Sequence, residues 1–103
     1  MIALNESRDQ ACRQLLAAFF TKFPNARLQT EANRTLRRLL AQQIPMLGKP
    51  GGWVAGIIYA AANQDRRACG IPGLLNQECE EFFNVSMGTI YKRTRQIRDV
   101  LMI

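Results

Sequence analysis

Apolar residues recur along the chain at intervals of three and four with no sustained alternation, so the pattern predicts helices throughout. Cys12, Leu15, Leu16, Phe19 and Phe23 form the first stripe, and Ser7 with Gln10 reads as a capping box ahead of it. Pro24-Asn25 breaks that helix. Thr30 is the expected cap of a second, in which Leu36, Leu39, Leu40 and Ile44 face inward while Arg34, Arg37 and Arg38 gather on the other side; Pro45 ends it. Gly48-Lys49-Pro50-Gly51-Gly52 reads as a connector. The segment behind it, Trp53 to Asn63, is apolar on nearly every side, as expected of a helix surrounded by others. Gly56 within it costs about 1 kcal/mol of intrinsic propensity relative to alanine, a penalty offset where a neighbouring helix packs tightly.

Asp65 to Gly73 reads as a polar loop closed by Ile71-Pro72-Gly73, and a short fourth helix follows with Asn76 as its expected cap and Cys79, Phe82 and Phe83 inward. The last helix covers Ser86 to Leu101. With Ile90 at the centre of its buried face, the 3.6-residue period brings Met87, Thr94, Ile97, Val100 and Leu101 to the same side, leaving Tyr91, Lys92, Arg95 and Arg98 to point elsewhere. Asn84-Val85-Ser86 separates these two helices: Asn tolerates a left-handed turn position, Val fills the angle between helices, and Ser caps the next one. The expected architecture is all-α, a single domain over residues 1–103, built as a five-helix bundle around a central apolar helix, with a helix-turn-helix over about residues 75–102.

At 48% apolar content, 103 residues suffice for one core and not for two. Fourteen Lys and Arg against eight Asp and Glu give a net charge of +6 and a pI near 9.9. Such a surface favours an anionic partner without naming it. The three cysteines, Cys12, Cys69 and Cys79, are odd in number, widely spaced and accompanied by no histidine, so no metal site is expected. Cys12 and Cys79 fall on apolar faces and read as buried free thiols of a reducing cytoplasm. Cys69, beside Arg66 and Arg67, is the one thiol whose pKa neighbouring cations would lower. The longest apolar run, Trp53 to Ala62, is too short for a bilayer, and the opening residues lack the basic and apolar regions of an export signal, so no membrane association is expected.

Catalysis finds little support. Without histidine a general base would have to be a carboxylate or a lysine, and no acidic residue has an evident nucleophilic partner. Gly48-Lys49 lacks the upstream glycine, the following Ser or Thr, and the preceding strand of a phosphate loop, which argues against nucleotide binding. No cofactor is expected.

From Lys49 onward the order of pieces resembles the cyclin-like repeat of transcription factor IIB and its archaeal relatives: KPGGWVAGIIYAAANQ, a variable loop, then LLNQECEEFFNVSMGTIYKRTRQI. In that family a Pro-flanked connector leads into an Ala-rich central helix with a mid-helix Tyr, and the last two helices form a helix-turn-helix whose turn reads roughly Gly-Val-Ser/Thr before Thr-Ile and basic residues. Asn84-Val85-Ser86, Thr89-Ile90 and Tyr91 to Arg95 correspond here. The chain is also similar to small bacterial domains of unknown function that share the central and C-terminal pattern. Two departures stand out. Asn84 replaces the turn glycine, and Glu80 falls where a small residue is usual, unless Cys79 takes that role and the turn is one residue longer. There is one repeat and no zinc ribbon, which argues against a basal transcription factor.

The resemblance implies a cyclin-like fold and a protein that binds double-stranded DNA. The N-terminal part of the last helix would enter the major groove, with Ser86, Gly88, Tyr91, Lys92, Arg95 and Arg98 toward the nucleic acid. Lys92 and Arg95 suit phosphate oxygens or a guanine edge, and Gly88 offers no side chain, so modest sequence discrimination is expected. Arg93, nearer the buried edge, is expected to pair with Glu80 or Glu81. Glu78, Glu80 and Glu81 would repel phosphates unless they point inward or pair. The function expected is that of a transcriptional regulator or accessory factor. The alternative is a cyclin-fold protein-interaction module without DNA contact, using apolar ends such as Met1-Ile2 and Leu101-Met102-Ile103; a homodimer would serve either.

Overall fold

A computed structural model describes residues 3–63 and 70–103, with the side chains of the first helix described from Ser7 onward. Five helices occur in these residues: α1 Ala3–Lys22, α2 Ala26–Ala41, α3 Pro50–Ala62, α4 Asn76–Phe83 and α5 Met87–Leu101. Among the described residues there is no strand, only an isolated bridge between Ile71 and Leu74, and the architecture is all-α. The bridge closes a tight turn. Pro72 and Gly73 hold its two middle positions, and Gly73 supplies the positive φ of 78° that such a turn demands. Cys69 with Arg66 and Arg67, and the Met1-Ile2 end, lie outside the described residues.

α3 is the central helix. It has no charged side chain to give to water, every residue from Gly51 to Ala61 is buried, and it packs against all four other helices. Its closest partner is α5. A Cβ on Gly56 would stand 2.8 Å from Arg93 Cβ and 3.0 Å from the Thr94 backbone nitrogen, so the two helices meet there nearly backbone to backbone. The buried Thr94 hydroxyl is satisfied by donating to the Ile90 carbonyl at 2.7 Å. Elsewhere in the core, Phe19 of α1 gathers Phe20, Phe23, Phe82 and Phe83 at ring separations between 5.1 and 5.5 Å, which ties α1 to α4.

Several helix starts differ from the sequence reading. Gly51 and Gly52 are not connector but the first turn of α3, behind Pro50, whose fixed φ and missing N–H cost nothing there. A Cβ on Gly51 would meet the Phe83 carbonyl oxygen at 2.9 Å, and one on Gly52 would meet Thr89 Cγ2 at 3.2 Å, so it is the approach of the α4 and α5 segments that favours glycine. α1 begins at Ala3 and Ser7 is interior to it. α2 is capped by Asn25, whose Oδ1 accepts the Leu28 N–H at 3.1 Å; Thr30 lies within the helix and donates to the Ala26 carbonyl. α2 ends at Ala41, so the half-buried Ile44 packs from the following loop. At α4 the cap position is Leu75, not Asn76, and Glu78 Oε1 accepts the Leu75 N–H at 3.0 Å.

Three protonated groups are sealed in this interior. Cys12 and Cys79 are buried free thiols, and Tyr59 is 2% exposed. Burial raises the pKa of both thiols above 9.0 and that of the Tyr59 phenol above 10.0, with the Cys79 contact adding to the latter. In the unfolded chain these groups lose protons at their ordinary values while the folded chain retains them. Their stabilisation is therefore complete below about pH 8 and is lost progressively as pH rises toward the folded values. Thermal melts from neutral pH to about pH 11 are expected to show a constant midpoint up to about pH 8 and a steady fall beyond it.

Candidate nucleic-acid interface

The turn between α4 and α5 forms from residues whose local chemistry suits it. Asn84 takes the left-handed conformation, φ 55° and ψ 47°, and the N–H groups of Asn84 and Val85 both reach the Glu80 carbonyl. Ser86 then caps α5, its Oγ accepting the Thr89 N–H at 3.2 Å. Asn84 and Ser86 thus take the left-handed and capping positions anticipated for them, and Val85 is half-buried against the core. Cys79 is fully buried, and the neighbouring Glu80 instead turns its side chain to the start of α5, where Oε2 accepts the Met87 N–H at 2.7 Å. One glutamate therefore binds the end of α4 through its carbonyl and the beginning of α5 through its carboxylate.

The fate of the three acids bears directly on the charge of this surface. Glu78 closes the start of α4, Glu80 closes the start of α5, and the exposed Glu81 accepts from Gln77 Nε2 at 3.2 Å. Among the described residues none of them pairs with a cation of α5, and the ion pair within 4.0 Å is Arg34 with Glu31 on α2. Glu80 nevertheless places a negative group at the N-terminal end of α5, opposing the positive end of the helix dipole there.

Along α5 the buried side consists of Ile90, Thr94, Ile97 and Leu101. Ser86, Gly88, Tyr91, Lys92 and Arg95 are exposed. Gly88, Lys92 and Arg95 share the outermost face, with Tyr91 on one flank. Arg98 is half-buried beside Tyr91, and its Nη2 donates to the Asn63 carbonyl at 3.1 Å, tying α5 to the end of α3. Of the six candidates, five are thus on the open surface, and the sixth is partly committed to the fold. Tyr91, Thr94, Arg95, Arg98 and Asp99 line a shallow surface groove of about 360 Å³.

Arg93 does not pair with Glu80 or Glu81. Its guanidinium lies 4.4 Å from the Trp53 ring centre, donates to the Leu47 carbonyl at 2.7 Å and to Gln96 Oε1 at 2.9 Å, and so binds the loop before α3 to α3 and α5. The Trp53 indole N–H donates to the same Leu47 carbonyl at 2.8 Å. Trp53 is therefore a packing residue, and Arg93 is removed from the exposed cations. On α2, Arg34 and Arg37 are open to solvent while Arg38 donates to the Leu101 carbonyl.

Two features of the surface escaped the sequence reading. Asp99 is exposed within the basic face, four residues beyond Arg95, a spacing that was available as a signal. Asn76, a cap by its place in the sequence, hydrogen-bonds with both Tyr59 and Tyr91, a link across three elements that no local pattern announces. Among the described residues no helix is long and apolar enough to cross a membrane. Compared with known proteins, the chain matches no family model, no curated protein and no solved structure.

Proposed function

We propose that the chain is a small DNA-binding protein that uses α4, the Asn84-Val85-Ser86 turn and α5 as a helix-turn-helix within a cyclin-like bundle, acting by binding as a regulator or accessory factor. The observation that carries this reading is the outer face of α5, where Lys92 and Arg95 stand exposed, one turn apart, while Glu78 bonds the start of α4, Glu81 bonds Gln77 on α4, and Glu80 is tied to the Met87 N–H at the start of α5. A rod of this length, about 22 Å, fits along the major groove. Lys92 and Arg95 supply charge to phosphate oxygens. Gly88 leaves the groove-facing surface bare, consistent with contacts that position more than they discriminate.

Glu80 and Asp99 set the limits of the contact. Their carboxylates bracket the cationic stretch at both ends, which confines phosphate approach to the middle of the helix around Tyr91, Lys92 and Arg95. The protein-docking alternative draws no comparable support. Among the described residues Leu47, Leu75 and Met102 are exposed large apolar side chains at loop or cap positions far apart along the chain, and such single residues are ordinary on a protein surface.

Fluorescence anisotropy with a mixed-sequence duplex tests the reading. Binding in the range of about 10⁻⁶ to 10⁻⁴ M at physiological salt is expected, tightening on dilution of salt with a log–log slope of about −2 to −3 for two or three phosphates. Absence of binding at low salt would overturn it.

A further inference from the structure

We infer that Asn76 is a positioning residue that holds the Tyr91 hydroxyl as a hydrogen-bond donor toward a phosphodiester oxygen. The inference rests on the DNA-binding reading for its ligand, and on a chain of three polar groups for its direction.

The chain begins in the core. Tyr59 is 2% exposed, and its hydroxyl lies 2.6 Å from Asn76 Oδ1. That separation suits an O–H donating to oxygen and is too short for a comfortable amide N–H donor, so the amide oxygen faces Tyr59 and the amide nitrogen faces away. Burial keeps the phenol proton in place, since it disfavours the phenolate. Asn76 Nδ2 then donates to the Tyr91 oxygen at 3.3 Å.

The consequence falls on Tyr91. A phenol proton prefers the ring plane and has two positions there, and with the Asn76 donor on one side of the oxygen the proton takes the other. The Tyr91 ring stands nearly perpendicular to that of Tyr59, with centroids 6.2 Å apart and an interplanar angle of 85°. Tyr91 therefore presents a donor of defined direction, 44% exposed, on the rim of the groove it shares with Arg95 and Arg98. A group made only of acceptors and carrying negative charge satisfies a phenol donor and a guanidinium together, and a backbone phosphate is that group. Asp99 on the same groove competes for the cations, so the phosphate contact is one of positioning and modest strength.

A double-mutant cycle tests this. Asn76→Ala, Tyr91→Phe and the double variant are titrated by anisotropy against two duplexes of unrelated sequence, with thermal melts confirming that each is folded. Each single change is expected to weaken binding by about 3- to 10-fold on both duplexes, and the double variant to bind no more weakly than Tyr91→Phe alone, because Asn76 acts through the hydroxyl already removed. Additive losses would overturn the positioning role. Losses confined to one duplex would assign the hydroxyl to a base edge and overturn the phosphate. Wild-type binding that Tyr91→Phe leaves unchanged would overturn the inference while the DNA reading stands, whereas a wild-type chain that ignores both duplexes would remove both.

Discussion

Gly56→Ala is expected to lower the melting temperature by about 8 to 16 °C, while Gly88→Ala, the same change in another helix, raises it by up to about 5 °C. Both glycines are helical, and both substitutions gain intrinsic helix propensity, at most about 1 kcal/mol. What separates them is the space for one methyl group. At Gly56 the new carbon would lie 2.8 Å from Arg93 Cβ and 3.0 Å from a backbone nitrogen of α5, and neither of these is the far end of a flexible side chain that can swing away. α5 must move as a body, at a cost of about 2 kcal/mol net after the propensity gain. At Gly88 the nearest atom is Ser86 Oγ at 3.7 Å, an ordinary contact, so the gain is unopposed. Equal shifts at the two sites would mean that α3 and α5 do not meet at backbone distance. The effect also reaches the proposed function, since displacing α5 displaces Tyr91, Lys92 and Arg95 with it.

The same contact shows why some of the fold was legible in the sequence and some was not. The buried side of α5, the Ser86 cap and the left-handed Asn84 all follow from residues within one or two turns of each other, and period and capping chemistry report on that range. α3 was legible as the centre because it has no polar face to offer. Its first turn was not. Two glycines in succession are poor helical material by propensity, and what calls for glycine there is the close approach of the Phe83 carbonyl and Thr89, brought up from more than thirty residues away. In sequence Asn25 stands beside Pro24 as a breaker, yet the same short polar side chain that disfavours helix interiors is what caps α2.

Charge pairing was the least legible part of the candidate site. Reading Arg93 against Glu80 and Glu81 assumed that opposite charges find each other, yet the guanidinium settles on the Leu47 carbonyl and the Trp53 face, and Glu80 on the Met87 amide. Both outcomes have one cause. A carbonyl after a broken helix and an amide at the start of a helix lack partners within their own segment, and an ionised side chain satisfies each by a charge-assisted bond that an exposed ion pair would not better. The result leaves α5 with fewer free cations than its composition suggests and concentrates the proposed contact on Lys92 and Arg95.

Lys92→Glu combined with Arg95→Glu is accordingly expected to weaken duplex binding at low salt by about 100- to 1,000-fold and to reduce the log–log salt slope by about 2. Each reversal removes one phosphate contact and puts a like charge in its place, so the loss exceeds simple deletion. Both side chains are exposed and neither takes part in a hydrogen bond of the helix frame, so the melting temperature should stay within a few degrees of the parent and the loss can be read as binding. The comparison that gives the result meaning is Arg34→Glu with Arg37→Glu, which lowers the net charge by the same amount at exposed positions on α2 instead of α5. If DNA responds only to overall charge, the two double variants weaken binding alike, because long-range attraction depends little on where the charge sits. If α5 is the contact surface, the α2 variant loses less than about 10-fold and keeps a slope near the parent's, since it alters attraction without removing a released counterion. Equal losses and equal slopes would reduce the chain to a basic protein with no defined face for nucleic acid.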